Sequence, residues 1–217
     1  MNYSKSLRWL TSVLFSAAIA LPSLAQDKDK DKQAGKPGAK PSESEMMEKM
    51  MELSKPGENH RLLARGVGTW TYTAKMWMNP DPKAAPAEAH GQSVARVAMD
   101  GRFLISDYTG KMPMPGPDGK MTEMDFKGMS VEGYDNVQKK FVATWIDNMG
   151  TGVMNLEGLY RDSSFTFHGE YEPMPGMKTK VREIIKVVDQ NHRTFEFFEY
   201  RDGNEVKTME IQFTRKT

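Results

Sequence analysis

From Gly68 to the end of the chain, apolar and polar residues alternate with a period of two, in short runs broken by Gly, Asp, Asn and Ser. The pattern predicts ten strands: 69–77, 92–99, 102–109, 126–134, 140–148, 152–160, 164–171, 179–189, 193–201 and 205–215. Asp100-Gly101, Arg161-Asp162-Ser163 and Asp202-Gly203-Asn204 are hairpin turns by composition, while Asn79–Pro86 and Pro113–Gly119 are Pro-rich and read as longer loops. With no helical period between the strands, the expected fold is all-β: an up-and-down antiparallel β-barrel of about ten strands, preceded by short N-terminal helices.

Before Gly68 the period is helical. Met46, Met47, Met50, Met51 and Leu53 share one side of a Met-rich segment at 45–55, which Pro56-Gly57 ends. A second helix, Glu58 to Ala64, leads to the first strand and is placed to cover one end of the barrel. Further upstream, 26–44 opens with alternating Asp and Lys and continues in Gly, Lys and Pro, a composition that predicts a disordered linker. Residues 1–25 carry Lys5 and Arg8, an apolar run from Leu10 to Leu21, and small residues at Ser23 and Ala25. They read as a signal peptide cleaved before Gln26, so the chain is expected to be exported to the periplasm or the extracellular space and to be soluble there, with no transmembrane anchor after cleavage. The barrel domain is then 56–217.

The alternation also assigns faces. Trp70 pointing inward takes Tyr72, Ala74 and Met76 with it; elsewhere Phe103, Ile105, Phe141, Trp145, Phe165, Phe167, Ile185, Val187, Phe195, Phe197, Met209, Ile211 and Phe213 are the inward set. Asp107, Asp147, Glu183 and Glu199 fall on the same parity. First and last strands pair in a closed barrel, which brings Arg215 over the indole of Trp70, next to Gly68. This Gly-x-Trp with a late Arg resembles the structural signature of the lipocalin and calycin barrels.

Gly133-Tyr134-Asp135-Asn136, Lys139 to Val142, Thr144 to Asn148 and Thr151-Gly152 resemble a bacterial secreted family called domain of unknown function 1579. His60 to Leu63 leading to Gly68-Thr69-Trp70, and Lys207 to Ile211 leading to Thr214-Arg215, are similar to it as well. The resemblance spans 56–217 and implies one lipocalin-like barrel domain; it brings no established activity.

There is no Cys, which excludes a lipid-anchored Cys, disulfides and thiolate chemistry. The net charge is +1, and cleavage of the two signal cations leaves about −1, a balance that favours neither nucleic acid nor an anionic membrane. The aromatic lumen suggests a monomeric binding module for a small apolar or amphipathic molecule. Trp70, Tyr72, Phe141, Trp145 and Phe197 would supply contact area, and Asp147, Asn148, Glu183 or Glu199 would fix orientation. The alternative for Asp147-Asn148 is turn chemistry before Gly150.

A three-residue loop at 190–192 would place Glu183 opposite Glu199, a screened carboxylate pair suited to acid–base catalysis in a small hydrolase or isomerase; otherwise they are rim carboxylates paired with Arg182, Arg201 or Lys180. Catalytic motifs are otherwise absent. The 18 methionines include pairs such as Met112 and Met114, soft thioethers that could hold Cu(I), or equally adaptable apolar wall. The histidines have no zinc spacing; His60 reads as structural, with a carboxylate as one partner it could reach, and His168 faces solvent.

Overall fold

In a computed structural model of the protein, residues 40–78, 84–116 and 120–217 are described. The signal segment, residues 26–39 of the charged linker, and parts of both Pro-rich segments lie outside them. Residues 41–217 form one unit. Two helices, α1 (Glu43–Leu53) and α2 (Glu58–Ala64), precede ten strands: β1 (Gly68–Met76), β2 (Ala87–Ala98), β3 (Phe103–Pro115), β4 (Met121–Asp135), β5 (Lys140–Asp147), β6 (Met154–Arg161), β7 (Ser164–Tyr171), β8 (Thr179–Val187), β9 (His192–Arg201) and β10 (Asn204–Arg215). Each strand pairs antiparallel with its sequence neighbour, and β1 closes on β10 from Trp70↔Arg215 to Met76↔Met209. Closure leaves no strand at an open edge.

The hairpins form where the turn residues demand. Asp162-Ser163 and Asp202-Gly203 are two-residue loops with positive φ at both positions, the mirror-image turn whose twist suits paired strands. At Asp100-Gly101 the register is that of a two-residue loop, but the ladder stops one pair earlier, at Ala98↔Phe103.

Three expectations are corrected. First, Pro113 and Pro115 belong to β3 rather than to a loop, paired with Glu123 and Met121. The β2–β3 ladder ends at His90↔Lys111, so on that side the prolines meet no strand that needs their missing N–H. Second, Phe103 and Ile105 face outward, and Leu104, Ser106 and Tyr108 inward. Leu104 packs beneath Leu63 of α2, while Phe103 covers Gly133 on the outer surface. Asp107 accordingly points out and lies 3.7 Å from Arg96.

The third concerns β8 and β9, whose register is two residues away from the expected one: Val187 pairs with Arg193, Ile185 with Phe195 and Glu183 with Phe197. The Asp189 carboxylate accepts the Asn191 N–H at 2.7 Å and contacts His192 Nδ1, tightening the turn; the Asn191 carbonyl accepts the Arg215 N–H at 2.8 Å. A two-residue shift keeps every side chain on its face but changes its neighbours. The Glu183–Glu199 pair is therefore not formed; Glu199 lies beside Val181.

α1 begins at Glu43, earlier than expected, because Ser42 and Glu45 form a capping box. Its C-terminal end is tied to the β4–β5 turn, where Asn136 Nδ2 donates to the Leu53 and Lys55 carbonyls. Met46, Met47, Met50 and Met51 are all exposed. α2 closes one end of the barrel with His60 and Leu63 buried. His60 accepts the Gly57 N–H, hydrogen-bonds the Tyr134 backbone and meets the Tyr134 ring edge-on; no carboxylate bonds it among the described residues. No helix among the described residues is long and apolar enough to cross a membrane.

Candidate functional site

The barrel has two unlike ends. At the α2 end Trp70 is buried, with Arg215 stacked over its ring at 4.2 Å and Arg193 at 4.3 Å. The indole N–H donates to the Gly66 carbonyl at 3.0 Å. Arg215 donates to the carbonyls of Gln190, Val67 and Arg65, so that one side chain ties the last strand to the segment entering the first. Gly68, at φ +135°, lies where an added Cβ would overlap the Arg215 guanidinium. Gly68, Trp70 and Arg215 thus meet at the floor of the barrel.

Above this floor lies a cavity of about 1040 Å³, opening at the opposite end between Trp77, Met78, the 149–153 loop and Pro173. Its walls are apolar and largely aromatic: Tyr72, Tyr108, Phe126, Trp145, Phe195, Phe197 and Phe213, with Met76, Met112 and Met209. Trp145 crosses Tyr108 edge-on at 5.2 Å and stacks on Phe126 at 6.3 Å. Gly128 makes room for it, since a Cβ there would stand 2.6 Å from the indole ring.

One polar cluster interrupts these walls. Glu183 on β8 is 8 % exposed, with Phe167 and Phe197 as its cross-strand neighbours. No hydrogen bond or ion pair reaches its carboxyl from the described residues. Burial, with a smaller contribution from Glu132, raises its pKa to about 8. Glu132 on β4 is also raised by burial, against a 3.1 Å hydrogen bond from Ser130 and the attraction of Arg193. Tyr108, buried among Glu132, Glu183, Ser106 and Ser130, is pushed far above the usual phenol range, chiefly by burial. Arg193 donates through Nη2 to the Arg65 carbonyl at 3.0 Å, and burial lowers its pKa; its Nε is buried without a partner. Glu132, Arg193 and Tyr108 were not among the sequence candidates. The signal available for Glu132 was its parity with Phe126, Ser130 and Tyr134 along β4.

The other candidates divide between wall and rim. Phe141 is buried beside Tyr134 and Phe165, below the cavity. Asp147 accepts the Trp145 indole N–H at 2.7 Å and the Met149 N–H at 2.9 Å, which fixes the ring at the mouth. Asn148 bonds the neighbouring strand β4: it accepts the Lys127 N–H and donates to the Asp125 carbonyl, both at 2.8 Å. Glu199 sits at the mouth, taking a 2.9 Å hydrogen bond from Tyr171 and pairing with Arg201 at 2.6 Å; burial and this carboxylate push the Tyr171 hydroxyl up to about 12. Met112 lines the mouth, and Met114 follows on the part of β3 that extends beyond β2.

A closed ten-stranded antiparallel barrel with an internal cavity is a lipocalin-like architecture. The chain belongs to the family described as "Protein of unknown function (DUF1579)", which matches residues 55–215. No curated protein matches it. Similar solved structures include the S-type phycobiliprotein lyase CPES from Guillardia theta, at 13 % identity and TM-score 0.48, covering 77 % of this chain and 97 % of that one. Rv2717c from M. tuberculosis is similar at 11 % identity and TM-score 0.47, covering 75 % and 100 %. A redesigned β-barrel is similar at 14 % identity and TM-score 0.36, covering 72 % and 96 %. At such identity these likenesses say nothing of what this chain binds.

Proposed function

We propose that the protein is an exported binding module that holds a small apolar or amphipathic molecule in the barrel lumen. The observation that carries this reading is the cavity of about 1040 Å³, floored by α2 and Trp70, open at one end and walled by aromatic and Met side chains. A drug-sized ligand buries most of its surface in a cavity of roughly this size, and apolar walls with a few polar groups are what such sites share. Export rests on the composition of residues 1–25.

A neutral lipophilic dye such as Nile red tests it. The dye should bind the protein with a saturable rise in fluorescence, and Ala143→Phe, which projects a ring into the cavity from β5, should abolish the rise while leaving the far-ultraviolet dichroism of the barrel unchanged. A signal that does not saturate, or that survives the filling substitution, would place the dye on the outer surface and defeat the reading.

A further inference from the structure

Glu183 is the anomaly of the lumen: a carboxyl more than nine-tenths buried, lining the cavity, with no hydrogen-bond or ion-pair partner among the described residues. A polar group buried without a partner costs about 1–3 kcal/mol, and more when ionised. Its surroundings are selective. Phe167 and Phe197 are its cross-strand neighbours; Phe167 is packed away in the core, and Phe197 lines the cavity beside it, an aromatic ring of the kind that attracts cations. The charged and titratable groups near it are Glu132 on β4, Tyr108 on β3 and, further along, the Tyr171–Glu199 pair and Arg193. Arg193 is the cation of the group, and it is engaged elsewhere: it stacks on Trp70, donates to the Arg65 carbonyl, and is attracted to Glu132. One carboxylate is thus offset by one guanidinium, and the carboxyl of Glu183 is left without a counter-charge.

We propose that the lumen anchors an amphipathic organic cation, its ammonium group seated against Glu183 beside Phe197 and its apolar body running past Trp145 and Met209 toward the mouth. This rests on the lumen-binding reading above and names the class of ligand. With the ammonium bound, the charges of Glu132, Glu183, Arg193 and ligand sum to zero. In the empty lumen Glu183 avoids an uncompensated charge by keeping its proton, since its pKa stands near 8. Binding the cation therefore releases that proton at neutral pH. The sign follows: affinity rises with pH below about 8, where a proton must be displaced, and levels off above it.

Three ligands of equal tail length separate the possibilities: decyltrimethylammonium, decanol and decanoate, titrated calorimetrically into the purified protein from about pH 6 to about pH 9. The quaternary ammonium has no titration of its own, so the protein alone sets the profile. It should bind at least about tenfold more tightly than decanol at the upper end, with affinity falling by up to about tenfold per pH unit at the lower end. Repeating the titration in buffers of different ionisation enthalpy should show close to one proton released near neutral pH. Glu183→Gln, which conserves volume and removes an unpartnered acid, should bind decanol as before but lose both the ammonium preference and the pH slope.

Equal binding of all three tails, or an ammonium preference that survives Glu183→Gln, would overturn the head-group assignment while leaving lumen binding intact. A preference for decanoate would also overturn it and make Arg193, with its unpartnered Nε, the anchor. If none of the three binds, the lumen-binding reading fails and the inference with it.

Discussion

The floor and the middle of the barrel both hold charged side chains, half-buried at the floor and buried in the middle, and they treat them in opposite ways. At the floor, three nitrogens of Arg215 donate to backbone carbonyls and its guanidinium lies on the Trp70 ring, whose own N–H is taken by Gly66. In the middle, no described residue donates to Glu183, and nearer the floor the Nε of Arg193, whose guanidinium also lies on Trp70, has no partner among the described residues. Satisfied buried polar groups specify one structure; unsatisfied ones lower stability. The first arrangement closes the β1–β10 seam, and the second leaves bonding capacity for something that enters the cavity.

Substitutions at the two places should differ in sign. Trp70→Ala removes the ring that both arginines cover and should lower the unfolding free energy by about 3–5 kcal/mol, read from denaturant melts. A loss below about 1 kcal/mol would mean that the seam does not depend on the stack. Glu183→Gln should instead stabilise the protein above neutral pH. Its folded-state pKa is raised, so the folded chain keeps a proton that the unfolded chain releases, and the stability is fully present below the unfolded pKa. In the wild type, stability should fall by up to about 1.4 kcal/mol per pH unit between about pH 5 and pH 8, and the substitution should flatten that slope. A slope unchanged in the variant would show that Glu183 does not hold its proton. The smallest effect is expected away from both places. Asn136→Ala frees the end of α1 and should cost about 1 kcal/mol or less, seen as faster amide exchange in α1 with the barrel amides unchanged.

Much of the floor was legible in the sequence and less of the middle, for a physical reason. Gly68, Trp70 and Arg215 are joined by barrel closure, and closure follows from ten alternating runs with turn residues between them. The middle depends on register and parity, which local pattern fixes poorly. On β3, Phe103 and Leu104 are both apolar, and only packing under α2 decides which points in. On β8 and β9, the Asp189 turn and the hold of Arg215 on residues 190 and 191 set a register two residues from the expected one. That shift keeps Glu183 inward but exchanges Glu199 for Phe197 as its neighbour, and leaves Glu132, on the distant β4, as the carboxylate it feels. The Met-rich helix shows another limit: its apolar residues repeat at helical spacing, yet all four methionines are exposed.

The most direct test of the central claim compares the mass of the protein recovered from its own compartment under native conditions with its mass after denaturation. The account predicts a native excess equal to one small organic molecule, removed by solvent extraction. An excess of a single copper would favour the Met pairs around Met112 and Met114 instead. Identical masses, together with a lumen that refuses lipophilic dyes, would contradict the claim that this barrel carries a ligand.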